Sequence, residues 1–286
     1  MGTSGSSNGP GPGVPFDPPW LDDIESEQAG DEQAQNDQRP DDTGTGDGQQ
    51  PPAEPPGMPQ EVAPPRRFAN ARRALRDFVR TGSEDAFRRA VGHYSRTGMG
   101  GSRNAATRMR TSARIAANAF GFLQAAREKT DSAIKNWVES LTARNASAQE
   151  IADEILKHTT PTGGSQDEVA SQQSMAQATE DLLAKYPNID LLNLNDNNIW
   201  ELIESYLGYE AFYRLSLDIG QVFEKSSISP RIRVTRMKEM RDYLKAELSA
   251  QVDALRRGKP HATSSQLQSV LQAAIENTFI VYEGAL

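Results

Sequence analysis

Residues 199–223, IWELIESYLGYEAFYRLSLDIGQVF, form the most apolar stretch of this 286-residue chain. On a helix, the large aliphatic and aromatic side chains of this stretch cover nearly the whole circumference. A helix that is apolar on all sides has to be covered by neighbours on several sides. The stretch therefore predicts a central helix with other helices packed around it.

The rest of residues 66–286 has the apolar spacing of helices with one buried face. Ser147 and Ser165 each begin a capping-box pattern that ends in a glutamate. Together these patterns predict helices at about 67–80, 103–127, 165–185, 199–223, 230–257 and 264–282, with shorter helices after Ser83, around 134–141 and after Ser147. In the helix at 230–257 the predicted buried stripe begins at Val234. No useful segment has the period of a strand, so we predict an all-α multi-helix bundle at 66–286, with a second boundary near 160–165 left open.

Residues 1–65 have a different composition. They hold 13 of the 17 prolines, and 13 acidic residues against one basic residue. Such a segment buries too little apolar surface to offset the entropy of ordering, so we predict a disordered Gly/Pro/acidic tail. Within it, Phe16 and Trp20 lie among prolines. They predict either a short docking peptide at the tip or a spacer with incidental aromatic residues.

Charge is distributed unevenly along the first half of the chain. Residues 1–65 carry a net charge of −12, whereas residues 66–129 hold 15 basic and four acidic residues. This arrangement predicts that the tail lies back over the basic segment, that each segment has an outside partner, or that both are solvated surfaces.

Several classes of function are excluded by what the sequence lacks. The chain has no cysteine, and its three histidines are far apart, so we predict no metal site. No nucleophile elbow, Walker loop or paired-carboxylate signature stands out, and we therefore predict a protein that is not an enzyme and has no cofactor of its own. Without a secretory signal or a long apolar run, we predict a cytoplasmic protein with no membrane partner.

A glycine-rich loop and a set of arginines form a candidate anion-binding site. The loop ends at the predicted start of a helix, where backbone N–H groups and the helix dipole can face an anion. The candidate residues are Gly98, Gly100, Gly101, Arg103, Arg110 and Arg114. The favoured interpretation of the loop is a tight helix–helix turn. The arginine face of residues 66–114 predicts contact with nucleic acid phosphates, an acidic partner, or the chain's own tail.

The N-terminal tip has a chemistry of its own. Gly2 follows Met1, and a residue that small normally permits removal of Met1. The resulting α-amine has a pKa of roughly 7.7–8.0, so an appreciable fraction is a free nucleophile at neutral pH. This predicts that Gly2 is presented to a partner enzyme.

Three segments together resemble one known family. They are the MGTS start with PPWLD at 18–22, GMGGSRNAA at 98–106 followed by Arg108, Met109, Ser112 and Arg114, and PTGGSQDE at 161–168. In this order they are similar to the B component (QatB) of the bacterial Qat anti-phage defence system.

The resemblance implies partners and a role. The expected neighbours are an ATPase, a QueC-like enzyme and a TatD-like nuclease. QueC-type enzymes use ATP to activate a 7-deazaguanine carboxylate and deliver it to an amine. The resemblance therefore implies that the Gly2 amine is acylated by the QueC-like partner, with Thr3, Ser4, Phe16 and Trp20 as docking residues. The alternatives are a nucleic-acid-binding module and a scaffold that joins the ATPase to the nuclease.

Overall fold

The computed structural model describes residues 66–161, 164–258 and 264–286. Across these ranges it contains α-helices, one π-helical turn and no strand, which confirms the all-α prediction. The predicted tail lies outside the described residues. So do the tip residues Gly2, Thr3, Ser4, Phe16 and Trp20.

The helices follow one another with short connections. In the first half they are α1 (Ala69–Thr81), α2 (Glu84–His93), α3 (Ser102–Thr107), α4 (Arg110–Glu128), α5 (Ser132–Ala143) and α6 (Ala148–Thr159). In the second half they are α7 (Gln166–Lys185), α8 (Asp196–Ile219), α9 (Gln221–Glu224), α10 (Pro230–Gly258) and α11 (Ser264–Glu283). The π-helical turn Tyr94–Gly98 continues directly from α2.

Local sequence signals place several helix starts. The Ser83 hydroxyl accepts a hydrogen bond from the backbone N–H of Ala86 at the start of α2. Both predicted capping boxes are formed, at Ser147 and at Ser165. These contacts satisfy backbone donors that would otherwise have no partner in the first turn.

Helix α8 is the predicted central helix, and it packs against α4, α7 and α10. Gly208 brings α10 especially close, because a Cβ atom at this position would lie only 3.0 Å from Cα of Lys245. The predicted helix 199–223 is divided, since α8 ends at Ile219 and the short α9 follows Gly220.

The helix predicted at 103–127 is also divided. Helix α3 ends at Thr107, and α4 begins at Arg110. Between them the Arg108 side chain turns toward Asp218 on α8. Arg110 and Arg114 therefore lie on the same helix, whereas Arg103 lies on a different one.

Candidate functional site

Three ionisable residues lie at steps of four along α8 and are buried in the bundle. Glu210 is 0% exposed, and Arg214 and Asp218 are each 2% exposed. We call them the buried ionic row. Charged groups are almost never fully buried unless they are paired. The sequence-based interpretation missed this row, although its spacing in an otherwise apolar helix was the available signal.

Glu210 joins α8 to two neighbouring helices. Its Oε2 accepts a hydrogen bond from Oγ of Ser112 on α4, at 2.5 Å. Its Oε1 accepts one from Oγ of Ser174 on α7, at 2.9 Å. Arg214 Nη2 lies 3.5 Å from the same carboxylate. Both carboxylate oxygens are thus satisfied by side chains from other elements.

Arg214 connects the row to the start of α7. Its Nη1 lies 2.8 Å from Oδ2 of Asp167, in the first turn of that helix. Arg108 Nη1 lies 3.9 Å from the same oxygen. Burial raises the pKa of Asp167, but the charges of Arg214 and Arg108 outweigh burial and hold the pKa below its ordinary value. Asp167 is therefore ionised and bound between two arginines.

Asp218 connects the row to the first part of the bundle. Its Oδ2 accepts a hydrogen bond from the Tyr94 hydroxyl at 2.9 Å, and Arg108 Nε lies 3.7 Å from the same oxygen. Its backbone carbonyl accepts one from Nη2 of Arg72 on α1, at 2.9 Å. Burial, followed by the charge of Asp218, raises the pKa of the Tyr94 hydroxyl well above its ordinary value. Tyr94 therefore stays a hydrogen-bond donor.

Two of the segments that carried the family resemblance meet at this row. Arg108 and Ser112 come from the segment that begins GMGGSRNAA, and Asp167 comes from PTGGSQDE. Taking charges out of water costs several kcal/mol per ion unless partners surround them. The paired arrangement holds α1, α4, α7 and α8 in one geometry, and its buried groups are suited to support rather than to contact with a substrate.

The glycine-rich loop makes a close connection between the π-helical turn and α3. Gly98 faces the Phe68 ring, because a Cβ atom here would lie 2.5 Å from Cδ1 of that ring. The Gly101 N–H donates to the carbonyl of Ser95 at 2.9 Å, and Gly100 and Gly101 have φ angles of 80° and 116°. These contacts fit a tight turn. Helix α3 is only six residues long, so anion binding by this loop stays a prediction.

The predicted anion-binding arginines are not equivalent. Arg103 and Arg114 are exposed, whereas Arg110 is half-buried. Because α3 and α4 are separate helices, one continuous stripe does not connect all three. Their binding role likewise stays a prediction.

The first arginines of the basic segment line a surface groove of about 810 Å³ between α1 and the chain around α9. We call it the basic groove. It has six basic residues and one acidic residue, namely Arg66, Arg72, Arg73, Arg76, Arg80, Lys225 and Asp77. Ala69, Val79, Val222 and Ile228 supply its apolar part. Arg67 does not line the groove. Its side chain is buried, and its Cζ lies 4.7 Å from the centre of the Phe68 ring.

A second cavity of about 540 Å³ lies between α7, α8 and α10. Two ion pairs cross it, from Lys245 to Asp181 and from Lys185 to Glu201, each at 2.6 Å. Glu204 also lines it. Burial and the neighbouring charge of Asp253 raise the pKa of Glu204 to about 7. Glu204 therefore titrates near neutral pH.

Comparison with known proteins identifies a family. The model of the family described as "Qat anti-phage system associated protein QatB" matches residues 100–282. No curated protein and no solved structure matches the chain. The matched range includes the buried ionic row with Arg108, Ser112 and Asp167, whereas the α1 side of the basic groove precedes it. Within the part of the chain that the structure describes, no helix has the length and apolarity needed to cross a membrane.

Proposed function

Because the chain belongs to the QatB family and is a component of the Qat anti-phage system, we propose a specific role for it. It is a non-catalytic protein substrate of a QueC-like partner enzyme. That enzyme acylates the Gly2 α-amine with a 7-deazaguanine group, using ATP and a 7-deazaguanine carboxylate that the partner binds. The chain itself holds no cofactor and acts in the cytoplasm, next to the system's ATPase and TatD-like nuclease.

The observation that carries this proposal is a glycine directly after Met1 in a QatB-family chain. Once Met1 is removed, the α-amine of Gly2 has no side chain beside it to crowd an acyl group. The unprotonated nitrogen attacks the activated carbonyl carbon, the activating group leaves with an oxygen of the carboxylate, and the nitrogen loses a proton. The product is an amide. Phe16 and Trp20, with Thr3 and Ser4, supply contacts at the partner's entrance.

The bundle supports the proposal as a framework. In the buried ionic row, Glu210, Arg214 and Asp218 all bind groups of neighbouring helices. Their charges are used to fix helix positions. A bundle built this way presents a fixed outer surface on which a partner enzyme docks while it acts on the tip.

Mass spectrometry of the full chain, co-expressed with the QueC-like enzyme, tests the proposal. We expect one acyl adduct per chain, located at Gly2 by fragmentation, and none with an inactivated partner. Gly2→Glu retains Met1 and should carry no adduct, whereas Gly5→Ala is a matched control that should be modified normally. An unmodified Gly2 beside active partner enzyme would contradict the proposal.

The basic groove favours a second candidate function, binding of nucleic acid. Five arginines and Lys225 around one groove can contact successive phosphates. The test is a salt-dependent gel shift with the full chain. Loss of the shift in Arg73→Glu/Arg76→Glu would support binding at the groove, and loss in Arg103→Glu/Arg110→Glu/Arg114→Glu would place it on α3 and α4. No shift at low salt rejects this candidate.

A further inference from the structure

The basic groove contains arginines that the fold does not use. Arg72 is engaged with the carbonyl of Asp218, and Arg80 lies 3.4 Å from Asp77. By contrast, Arg66, Arg73 and Arg76 are exposed and have no carboxylate partner among the described residues. Their charge contributes little to stability in water, so it is available for an acidic ligand.

The lining of the groove suits an acidic peptide. Val79 and Val222 are buried beneath it, and Ala69 and Ile228 add to its apolar surface. Basic residues line it from both sides, with the arginines on α1 and Lys225 after α9. An extended peptide can place its small side chains over the apolar surface while its carboxylates reach the bases. Arginine suits this role because its fork matches the two oxygens of a carboxylate.

The chain itself contains such a peptide. Residues 22–47, DDIESEQAGDEQAQNDQRPDDTGTGD, hold ten acidic residues and one basic residue. Only residues 48–65 separate this segment from Arg66, which lines the groove. Eighteen residues extend to at most about 60 Å, so the segment can reach the groove without strain.

We propose that residues 22–47 bind the basic groove of the same chain. Bound in this way, the acidic segment shields the arginines and leaves only residues 1–21 to extend toward a partner. The inference does not depend on Gly2 being acylated, and acylation does not depend on it.

The acidic segment is tethered to the groove, and this gives it an advantage over a free polyanion. A covalently attached segment has an effective concentration of the order of mM. Non-specific nucleic acid binding has a Kd of about 10⁻⁴ to 10⁻⁶ M at physiological salt. If the acidic segment has an intrinsic Kd of about 0.1 mM, it occupies the groove in about nine chains of ten and weakens outside polyanions about tenfold.

A single spin label measures the contact directly. The native chain has no cysteine, so Ala34→Cys takes one nitroxide in the middle of the acidic segment. In the full chain at low salt, we expect broadened amide signals from α1 and residues 221–228, and unbroadened signals from α5. Salt at about 1 M should restore the broadened signals, because exposed charges are screened beyond about 3 Å.

Two variants with the same change in charge give the control. Arg73→Glu/Arg76→Glu/Lys225→Glu should abolish the broadening, whereas Arg144→Glu/Arg257→Glu/Lys238→Glu should retain it. All six residues are exposed, and only the first three line the groove. Equal helical content by circular dichroism shows that both variants fold. Absent broadening in the parent chain, or equal loss in both variants, overturns the proposal.

A DNA-binding experiment distinguishes between the tail and nucleic acid as the occupant of the basic groove. We expect a 20-nucleotide single strand to bind about tenfold more tightly when the tail carries Asp31→Asn, Glu32→Gln, Asp37→Asn, Asp41→Asn and Asp42→Asn. If DNA binds the unaltered full chain at the groove just as tightly, the groove is a nucleic acid site and the proposal fails.

Discussion

The buried ionic row and the basic groove both depend on arginine, but they use it differently. Arg214 is buried and binds two carboxylates of its own fold. Arg73 and Arg76 are exposed and have no such partner among the described residues. Buried charges must be paired within the fold, whereas exposed charges are solvated and can pair with a ligand. The first region therefore determines stability, and the second is available for binding.

The largest expected effect is the removal of one member of the row. Arg214→Leu removes the cation beside Glu210, which has no access to water, and leaves Asp167 with Arg108 alone. We expect a loss of about 3–5 kcal/mol in the free energy of unfolding, measured by urea denaturation. The matched surface change Arg73→Leu should cost at most about 0.5 kcal/mol.

A double variant sharpens this result. In Glu210→Gln/Arg214→Leu the side chain at 210 is neutral, yet its oxygen still accepts a hydrogen bond from Ser112 or Ser174. We expect it to recover much of the lost stability, because no carboxylate is then left unpaired at 210. A single Arg214→Leu that costs less than about 1 kcal/mol would remove the distinction between the two regions.

An intermediate effect is expected where the row meets α7. Ser174→Ala removes a hydroxyl that donates to the Glu210 carboxylate. A hydrogen bond to a charged group contributes about 1.5–3 kcal/mol, and we expect a loss in this range by thermal or urea unfolding. Ser140 bonds only a backbone carbonyl on an exposed surface, so Ser140→Ala should change stability by less than about 0.5 kcal/mol.

Glu204 is partly buried, so its burial is intermediate between that of the buried ionic row and that of the basic groove. Its folded-state pKa of about 7 exceeds the ordinary glutamate value, so the folded protein holds a proton that the unfolded chain releases. Its contribution to stability therefore falls as pH rises from about 4.5 to 7. We expect Glu204→Gln to stabilise the protein at pH 8 by about 1 kcal/mol, allowing for solvent screening, and by much less at pH 4.5. An equal effect at both pH values would contradict this assignment.

The smallest effect is expected at the edge of the groove. Arg80 and Asp77 form a surface pair whose side chains are 76% and 49% exposed. Such pairs contribute about 0.2–1 kcal/mol, and Arg80→Ala should lower stability by no more than this in urea denaturation. A loss of more than about 2 kcal/mol in the free energy of unfolding would mean that the groove arginines stabilise the fold.

Local patterns in the sequence predicted those parts of the fold that depend on local physics. The apolar circumference of 199–223 predicted the central helix α8, and serine–glutamate spacing predicted the starts of α6 and α7. Both depend on residues within a few positions of each other, and the structure confirms both.

The features that were missed depend on distant partners. Glu210 is stabilised by Ser112, which lies 98 positions earlier in the chain, so no local pattern predicts the pairing. The break before Arg110 likewise coincides with a contact between Arg108 and α8. In α10 the predicted stripe begins too early, because Val234 is 67% exposed, Met237 is half-buried and Met240 is the first fully buried residue. The groove arginines were recognised, but the apolar surface beneath them required α9 to be in place.

The buried ionic row on α8 also affects how the chain folds during synthesis. Asp218 is the last of its three members to leave the ribosome, and Arg108, Ser112 and Asp167 are all made before it. Until α8 emerges, Ser112 and Asp167 lack Glu210 and Arg214, their partners on α8 in the finished fold. We therefore expect nascent chains that end before about residue 220 to remain sensitive to protease, and resistance to be complete only after α10 and α11, which cover α8 and α4, have emerged as well.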